Sequence, residues 1–131
     1  AVLPIGVVCS VLPQVTDVLV HLTWGVSTVT GSAVDVDLLA YVVDGDGNGL
    51  GVVSYCDLQF PPHMGRDDTH RASIVHTSGD EQAGYVGESI AIRLRRLVRD
   101  GVAAVCLVAS SPDTTTAIHE VSELELSITC T

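Results

Sequence analysis

Apolar and polar side chains alternate along four stretches of the chain, a pattern typical of strands with one buried face. The four stretches are residues 17–24, 34–44, 89–94 and 124–130. Their apolar positions are Val18, Val20, Leu22, Trp24, Val34, Val36, Leu38, Ile90, Ile92, Leu94, Leu124, Leu126, Ile128 and Cys130. Residues 50–56 and 103–109 are continuously apolar instead, which predicts strands that are covered on both faces.

Helix signals are scarce in this sequence. The segment RRLVRDG, residues 95–101, predicts about two helical turns that end with Gly101 as the C-terminal cap. Residues 61–73 are polar and rich in proline and glycine, and they predict a long loop, as do residues 77–87, TSGDEQAGYVG. About seven short strands separated by turns predict an all-β fold, an antiparallel β-sandwich with one short helix.

A chain of 131 residues fits one hydrophobic core, so we expect a single domain over residues 1–131. The apolar start, AVLPIGVVCSVLPQV, has no positively charged region and contains two prolines. We therefore expect residues 1–16 to form a strand or a packed arm, and not a signal peptide. No apolar run reaches the ~20 residues needed to span a bilayer. We expect a cytoplasmic protein, with membrane association only through partners.

The chain is strongly acidic, with 16 Asp and Glu residues against 6 basic residues and a formal net charge of −10. All the basic residues are arginine, and lysine is absent. Such a surface repels phosphate backbones, which argues against nucleic acid as a partner. The same field attracts divalent cations, although acidity that serves only solubility is the alternative interpretation.

The four cysteines, Cys9, Cys56, Cys106 and Cys130, are far apart and include no CxxC pair, which argues against a zinc site. Each has apolar or β-branched neighbours, which favours small buried thiols in a cytosolic protein. Two disulfides in an exported protein are the alternative, with three possible pairings.

The segment DGDGNG, residues 44–49, begins like an EF-hand calcium loop. Such a loop needs oxygen ligands at positions 1, 3 and 5, glycine at 6 and a bidentate Glu at 12. Asp44, Asp46, Asn48 and Gly49 meet the first requirements, but the twelfth position is Tyr55 and the flanks predict strands. We predict a hairpin loop here, with Asp44, Asp46 and Asn48 as secondary candidates for a weak cation contact.

A stronger candidate for a cation site lies just before this hairpin in the sequence. Asp35 and Asp37 stand two residues apart on a predicted strand, so their carboxylates project from the same face. Two like charges side by side cost energy unless a positive charge lies between them. Ca²⁺ would relieve that repulsion, whereas the alternative is the solvated face of an edge strand.

Three segments resemble the signatures of a known family. Residues 22–47, LTWGVSTVTGSAVDVDLLAYVVDGDG, are similar to a stretch with a tryptophan, an acidic D-x-D strand, a hydrophobic strand and a D-G turn. Residues 74–94, IVHTSGDEQAGYVGESIAIRL, resemble a second signature of His, Gly-Asp, a glycine-rich acidic loop, Glu and an alternating strand. Residues 102–111, VAAVCLVASS, resemble the core strand that follows. Over residues 18–130 the chain thus resembles the TerD family, the tellurite-resistance and general stress-response domains of bacteria.

This resemblance implies a β-sandwich that binds Ca²⁺ through loop and strand carboxylates and has no established enzymatic activity. By position, Asp35 and Asp37 match the family's D-x-D, Asp80 its Gly-Asp step and Glu88 the acid before the alternating strand. We expect these four residues to converge as a metal site, with calcium as the cofactor of a non-enzymatic stress-response domain. The second loop is shorter here and poorer in acids than in the family.

The family also has strands beyond the position of Thr131. Their absence from this sequence leaves strand edges that need cover, which favours a homo-oligomer or pairing with a partner protein. The alternative function is therefore a self-assembling structural subunit of a shell or filament that keeps the sandwich and has lost the metal site.

A third hypothesis comes from the polar loop HMGRDDTH. His63, Asp67, Asp68 and His70 could ligate Zn²⁺ or Mn²⁺ in a metal-dependent hydrolase, although their spacing fits no standard zinc pattern. The alternative is a solvated loop. No GxSxG elbow supports a serine hydrolase, so we expect no enzyme. His76 and His119 lie beside predicted strands, which favours a structural role for both.

Overall fold

The computed structural model describes residues 2–3, 14–62, 71–112 and 116–131, and these residues form nine strands and two short helices. The strands are β1 (Val2–Leu3), β2 (Asp17–Thr23), β3 (Asp37–Val43), β4 (Gly49–Val53), β5 (Gln59–Phe60), β6 (Ile74–His76), β7 (Glu88–Arg93), β8 (Ala104–Ser110) and β9 (Glu125–Cys130). Helix α1 (Leu94–Arg99) follows β7 directly, and a 3₁₀ turn spans Ile118–Glu120. Within these residues, no helix has the length and apolarity needed to cross a membrane.

The strands form two antiparallel sheets whose inner faces share one core. The larger sheet has the order β1-β9-β2-β7-β6-β5, and the smaller has the order β4-β3-β8. Among the described residues neither sheet closes on itself, so the molecule is an open sandwich. The predicted all-β class, an antiparallel β-sandwich with one short helix, is confirmed.

The core consists of the inward positions of the alternating strands. Val18, Val20 and Leu22 of β2 are buried, as the period of two predicts. The other buried apolar residues in this cluster are Trp24, Val34, Val36, Leu38, Ala40, Val42, Val53, Phe60, Ile74, Ile90, Ile92 and Val121. Each large aliphatic side chain stabilises the fold by about 1.5–3 kcal/mol through removal from water.

Helix α1 forms where the sequence predicts it. Asp100 caps its C-terminus, and the N–H of Asp100 donates to Arg96 O at 3.0 Å. Gly101 then adopts φ = 75°, the left-handed conformation that glycine accepts without strain, and its N–H donates to Val98 O.

Two expectations about apolar segments are wrong. Strands β4 and β8, which lie in the two continuously apolar runs, are the edges of the smaller sheet, and their outward residues stay exposed. Cys56, Cys106 and Cys130 are exposed free thiols and not buried ones, because Cys56 lies in a loop, Cys106 points outward from β8, and Cys130 is the last residue of β9. Hydrophobic neighbours in sequence do not reveal which face of a strand a thiol occupies.

The N-terminal arm is described at Val2–Leu3, where β1 pairs with Ser127 and Leu126 of β9, and at residues 14–16, where Val15 packs against the core. The rest of the predicted arm between residues 3 and 14, including Cys9, lies outside the described residues, and so does the loop from His63 to His70.

The antiparallel registers define two ends of the sandwich. Glu88 pairs with Leu22, and the main-chain N–H of Leu38 donates to Glu88, so the start of β3 lies at this Glu88 end. Arg93 pairs with Asp17 at the opposite end, which we call the Arg93 end. The chain crosses between these ends with every strand, so residues distant in sequence meet at each.

Candidate metal centre

Four carboxylates meet at the Glu88 end of the sandwich. Asp37 is the first residue of β3, Asp35 lies just before it, and Glu88 is the first residue of β7. Asp80 comes from the loop between β6 and β7. Each of the four contributes an oxygen, and these oxygens all lie within 4.8 Å of one another. The structure therefore brings together the four residues that the sequence singles out.

Glu88 is the most deeply buried member of this carboxylate cluster. It shares the inward face of β7 with Ile90 and Ile92, and its relative exposure is 0%. Its Oε1 accepts the N–H of Leu38 at 2.9 Å and lies 3.2 Å from Nε2 of His76. Its buried Oε2 has no hydrogen-bond partner among the described residues. One oxygen of this carboxylate is thus fixed by protein donors while the other is left for a ligand.

His76 belongs to the site, although the sequence analysis assigned it only a structural role. It lies on the inward face of β6 with Ile74, and its side chain is fully buried. An ionised carboxylate only accepts hydrogen bonds, so Nε2 is the donor whenever Glu88 is ionised; Nδ1 has no partner among the described residues. The signal for this role was present: His76 has the same parity as Ile74 in a strand, so it had to point inward.

The two aspartates are held in an environment that disfavours their charge. Burial, then repulsion from Asp35, Glu88 and Asp80, raises the pKa of Asp37 to about 6. Burial, then repulsion from Asp80 and Glu88, raises the pKa of Asp35 above its ordinary value. Oδ1 of each aspartate is buried without a hydrogen-bond partner among the described residues. Buried unpaired oxygens of this kind are costly, and a bound cation would remove the cost.

The arrangement can bind a hard divalent cation. Its donors are carboxylate oxygens, which suit Ca²⁺, Mg²⁺ or Mn²⁺ better than the softer metals that prefer sulfur. None of the described arginines lies at this end to neutralise the cluster. The acidic cluster could therefore hold a metal ion.

The second candidate, Asp44 with Asp46 and Asn48, is a hairpin turn between β3 and β4. Oδ1 of Asp44 accepts the N–H groups of Asp46 and Asn48, both at 2.9 Å, and its Oδ2 accepts the Asn48 side chain at 3.3 Å. These bonds, with the Asn48 N–H first, hold the pKa of Asp44 below its ordinary value. The carboxylate of Asp44 thus organises the turn, and the hairpin lies at the Arg93 end, apart from the carboxylate cluster.

No protein-family model matches the sequence, and no curated protein matches it. The fold and the site by themselves define the class of the protein. It is an acidic, open β-sandwich with a partly buried cluster of four carboxylates that could hold a metal ion.

Proposed function

We propose that the protein is a non-enzymatic calcium-binding domain whose ligands are Asp35, Asp37, Asp80 and Glu88. The observation that carries this proposal is the convergence of their oxygens within 4.8 Å, with buried oxygens left unpartnered. A protein that buries like charges together without a counter-ion loses stability, so the arrangement makes physical sense as a cation site.

The oxygen donors of the carboxylate cluster and the sequence resemblance together favour Ca²⁺ as the bound ion. Ca²⁺ accepts irregular shells of six to eight oxygens at about 2.3–2.6 Å, whereas Mg²⁺ demands a near-ideal octahedron and keeps its water. Asp80 is exposed on a loop, so that side of the site is open to water, which can complete an irregular shell.

The biological part of the proposal comes from the resemblance of residues 22–47 and 74–94 to TerD domains. On that basis we assign the chain to stress response of the tellurite-resistance type, with calcium binding as its molecular activity. A shared sandwich alone would not support this assignment, because one fold hosts many functions.

The test is thermal unfolding with EGTA and with increasing Ca²⁺, supported by calorimetric titration. A ligand that binds only the folded state stabilises it by about 2.7 kcal/mol at a concentration of 100 Kd. We expect a clear rise in Tm with Ca²⁺ and a smaller one with Mg²⁺. Asp37→Asn and Glu88→Gln should abolish the rise, because each removes a charged ligand.

The matched control is Asp46→Asn in the hairpin, which removes one negative charge from an exposed residue outside the carboxylate cluster. It should leave the calcium response unchanged. A wild-type protein whose Tm is the same in EGTA and in millimolar Ca²⁺ would contradict the proposal of calcium binding. So would a loss of the response in Asp46→Asn equal to that in Asp37→Asn.

A further inference from the structure

The arginines of the described chain all lie at the Arg93 end of the sandwich. Arg93 ends β7, Arg95, Arg96 and Arg99 follow it in α1, and Arg99 donates to the main-chain oxygen of Arg71 at 3.0 Å. Three of them, Arg71, Arg95 and Arg99, are exposed. The described part of a chain of net charge −10 thus concentrates its positive charge at one end.

The acidic residues have the opposite distribution. Nine of those in the described chain lie toward the Glu88 end: Asp35, Asp37, Asp57, Asp80, Glu81, Glu88, Glu120, Glu123 and Glu125. Four lie toward the Arg93 end: Asp17, Asp44, Asp46 and Asp100. With five arginines beside those four acids, the formal charges of the described residues are −9 at the Glu88 end and +1 at the Arg93 end.

The Glu88 end also has a concave surface suited to a guanidinium group. A groove of about 490 Å³ is lined by Thr23, Trp24, Gly84, Tyr85, Glu123 and Glu125. Tyr85 is 88% exposed, and both glutamates are exposed beside it. An aromatic face next to carboxylates binds arginine through stacking and ion pairing together.

Helix α1 presents a matching surface at the other end. Arg95 and Val98 are three residues apart, so they lie on the same side of the helix. Both are exposed, Val98 at 79%, which is unusual for an apolar side chain of this size. Arg99 is held by Asp100 at 3.0 Å, which leaves Arg95 as the exposed helix arginine best placed to reach outward.

We propose that these two surfaces bind each other in neighbouring copies of the chain. Arg95 of one copy enters the groove of the next and pairs with Glu123 and Glu125, while Val98 packs against Tyr85. The two surfaces differ and lie at opposite ends, so the contact is head-to-tail and builds a linear assembly. It does not use the carboxylate cluster and is independent of calcium as a ligand.

A second copy fits the arginine surface better than other anionic partners. Nucleic acids and anionic membranes would be repelled by the rest of a chain with net charge −10. The chain's own Glu88 end offers acids, an aromatic ring and a concave shape in one place. Short-range complementarity then outweighs the net repulsion, which salt screens beyond about 8–10 Å.

The experiment is analytical ultracentrifugation over a range of protein concentrations, in EGTA and in Ca²⁺. Wild type should gain mass as its concentration rises. Arg95→Glu and Glu125→Arg should each weaken association by about tenfold or more, because each opposes like charges in the contact. The double variant R95E/E125R should associate again, because the reversed charges are complementary. A mixture of the two single variants should associate again in alternating order, because each helix surface then meets a groove of opposite charge on the other variant.

Asp46→Arg is the matched control, since it makes the same change of net charge as Glu125→Arg outside both surfaces. It should associate like wild type. Each variant's Tm and calcium response are measured in parallel, so loss of folding or of the cation site is distinguished from loss of association. A wild-type protein that stays monomeric at millimolar concentration overturns the proposal, whether or not it binds anionic vesicles. A double variant that stays monomeric while folded also overturns it.

Discussion

At the scale of single residues, the site depends on polar side chains placed where the strand period demands apolar ones. Glu88 occupies the inward face of β7 in line with Ile90 and Ile92, and His76 does the same in β6 after Ile74. Their mutual contact at 3.2 Å satisfies one oxygen of Glu88 inside the sandwich. His76 is therefore a positioning residue that orients Glu88 toward the other carboxylates.

This role gives a prediction for His76→Leu. The variant removes the donor to Glu88, so calcium affinity should fall by about 10–100-fold, as is usual when a residue that orients a metal ligand is lost. His76→Gln keeps an N–H donor and should retain most of the affinity. Calorimetric titration of both variants makes the comparison. Equal calcium affinity in wild type and His76→Leu would contradict the assignment.

At the scale of elements, the loop between β6 and β7 positions Asp80 and leads directly to Glu88, the first residue of β7. This loop is docked against the end of β2, because the N–H of Trp24, the residue after β2, donates to Gly84 O at 3.1 Å. Gly87, directly before Glu88, has φ = 79°, and a Cβ there would collide with Leu22 O. Close packing against the β2 backbone therefore fixes the position of Glu88 at the start of β7.

Gly87→Ala tests this anchoring. It combines the cost of a left-handed alanine, about 1–2 kcal/mol, with a collision. Gly47→Ala is the control, because Gly47 has φ = 84° and nothing within 4 Å of a Cβ. Urea unfolding should show a lower free energy of unfolding for Gly87→Ala than for Gly47→Ala, and calcium affinity should fall only in Gly87→Ala. Equal losses of unfolding free energy in both variants would mean that the collision at position 87 is relieved without cost, which contradicts the anchoring role.

At the scale of the whole molecule, the carboxylate cluster makes stability depend on pH and on the cation. The pKa of Asp37 is about 6 in the folded protein against an ordinary value of 3.8, so the folded state binds the proton more tightly than the unfolded state. Protonation therefore stabilises the fold, and without calcium this stability falls as pH rises from about 4 to about 6. Bound calcium favours the ionised form and should reverse this trend.

Thermal unfolding at a series of pH values, in EGTA and in Ca²⁺, measures this effect. In EGTA, Asp37→Asn should flatten the fall in Tm between about pH 4 and pH 6, because the variant has no proton to release there. Other carboxylates titrate in both proteins, so the difference between the two curves is the informative quantity. Identical pH profiles of Tm for wild type and Asp37→Asn would exclude Asp37 as the source of the pH dependence.

Much of the fold could be predicted from local pattern. The alternation in residues 17–24 and 89–94 identifies β2 and the inward face of β7, because successive side chains of a strand point to opposite sides. Gly101 marks the end of α1, and DGDGNG the hairpin, because these turns need conformations that glycine and asparagine accept.

The same local pattern was misleading for the apolar runs at residues 50–56 and 103–109. A continuous apolar run indicates a strand but does not say whether the sheet continues beyond it. Both strands belong to a sheet that packs against the core on one side only, so one face of each remains in contact with solvent, as it does at Tyr41 in the central strand β3. Cys106 in β8 is exposed for this reason.

The sequence by itself determined the strand class, the short helix, the hairpin and the candidate carboxylates, because periodicity and turn chemistry act over a few residues. Only the tertiary structure decided that Asp35 and Asp37 meet Asp80 and Glu88, that His76 contacts Glu88, and that the described arginines share one end. Those contacts join residues up to about fifty positions apart. Which strands become neighbours is decided by packing of the whole core, which no local pattern encodes.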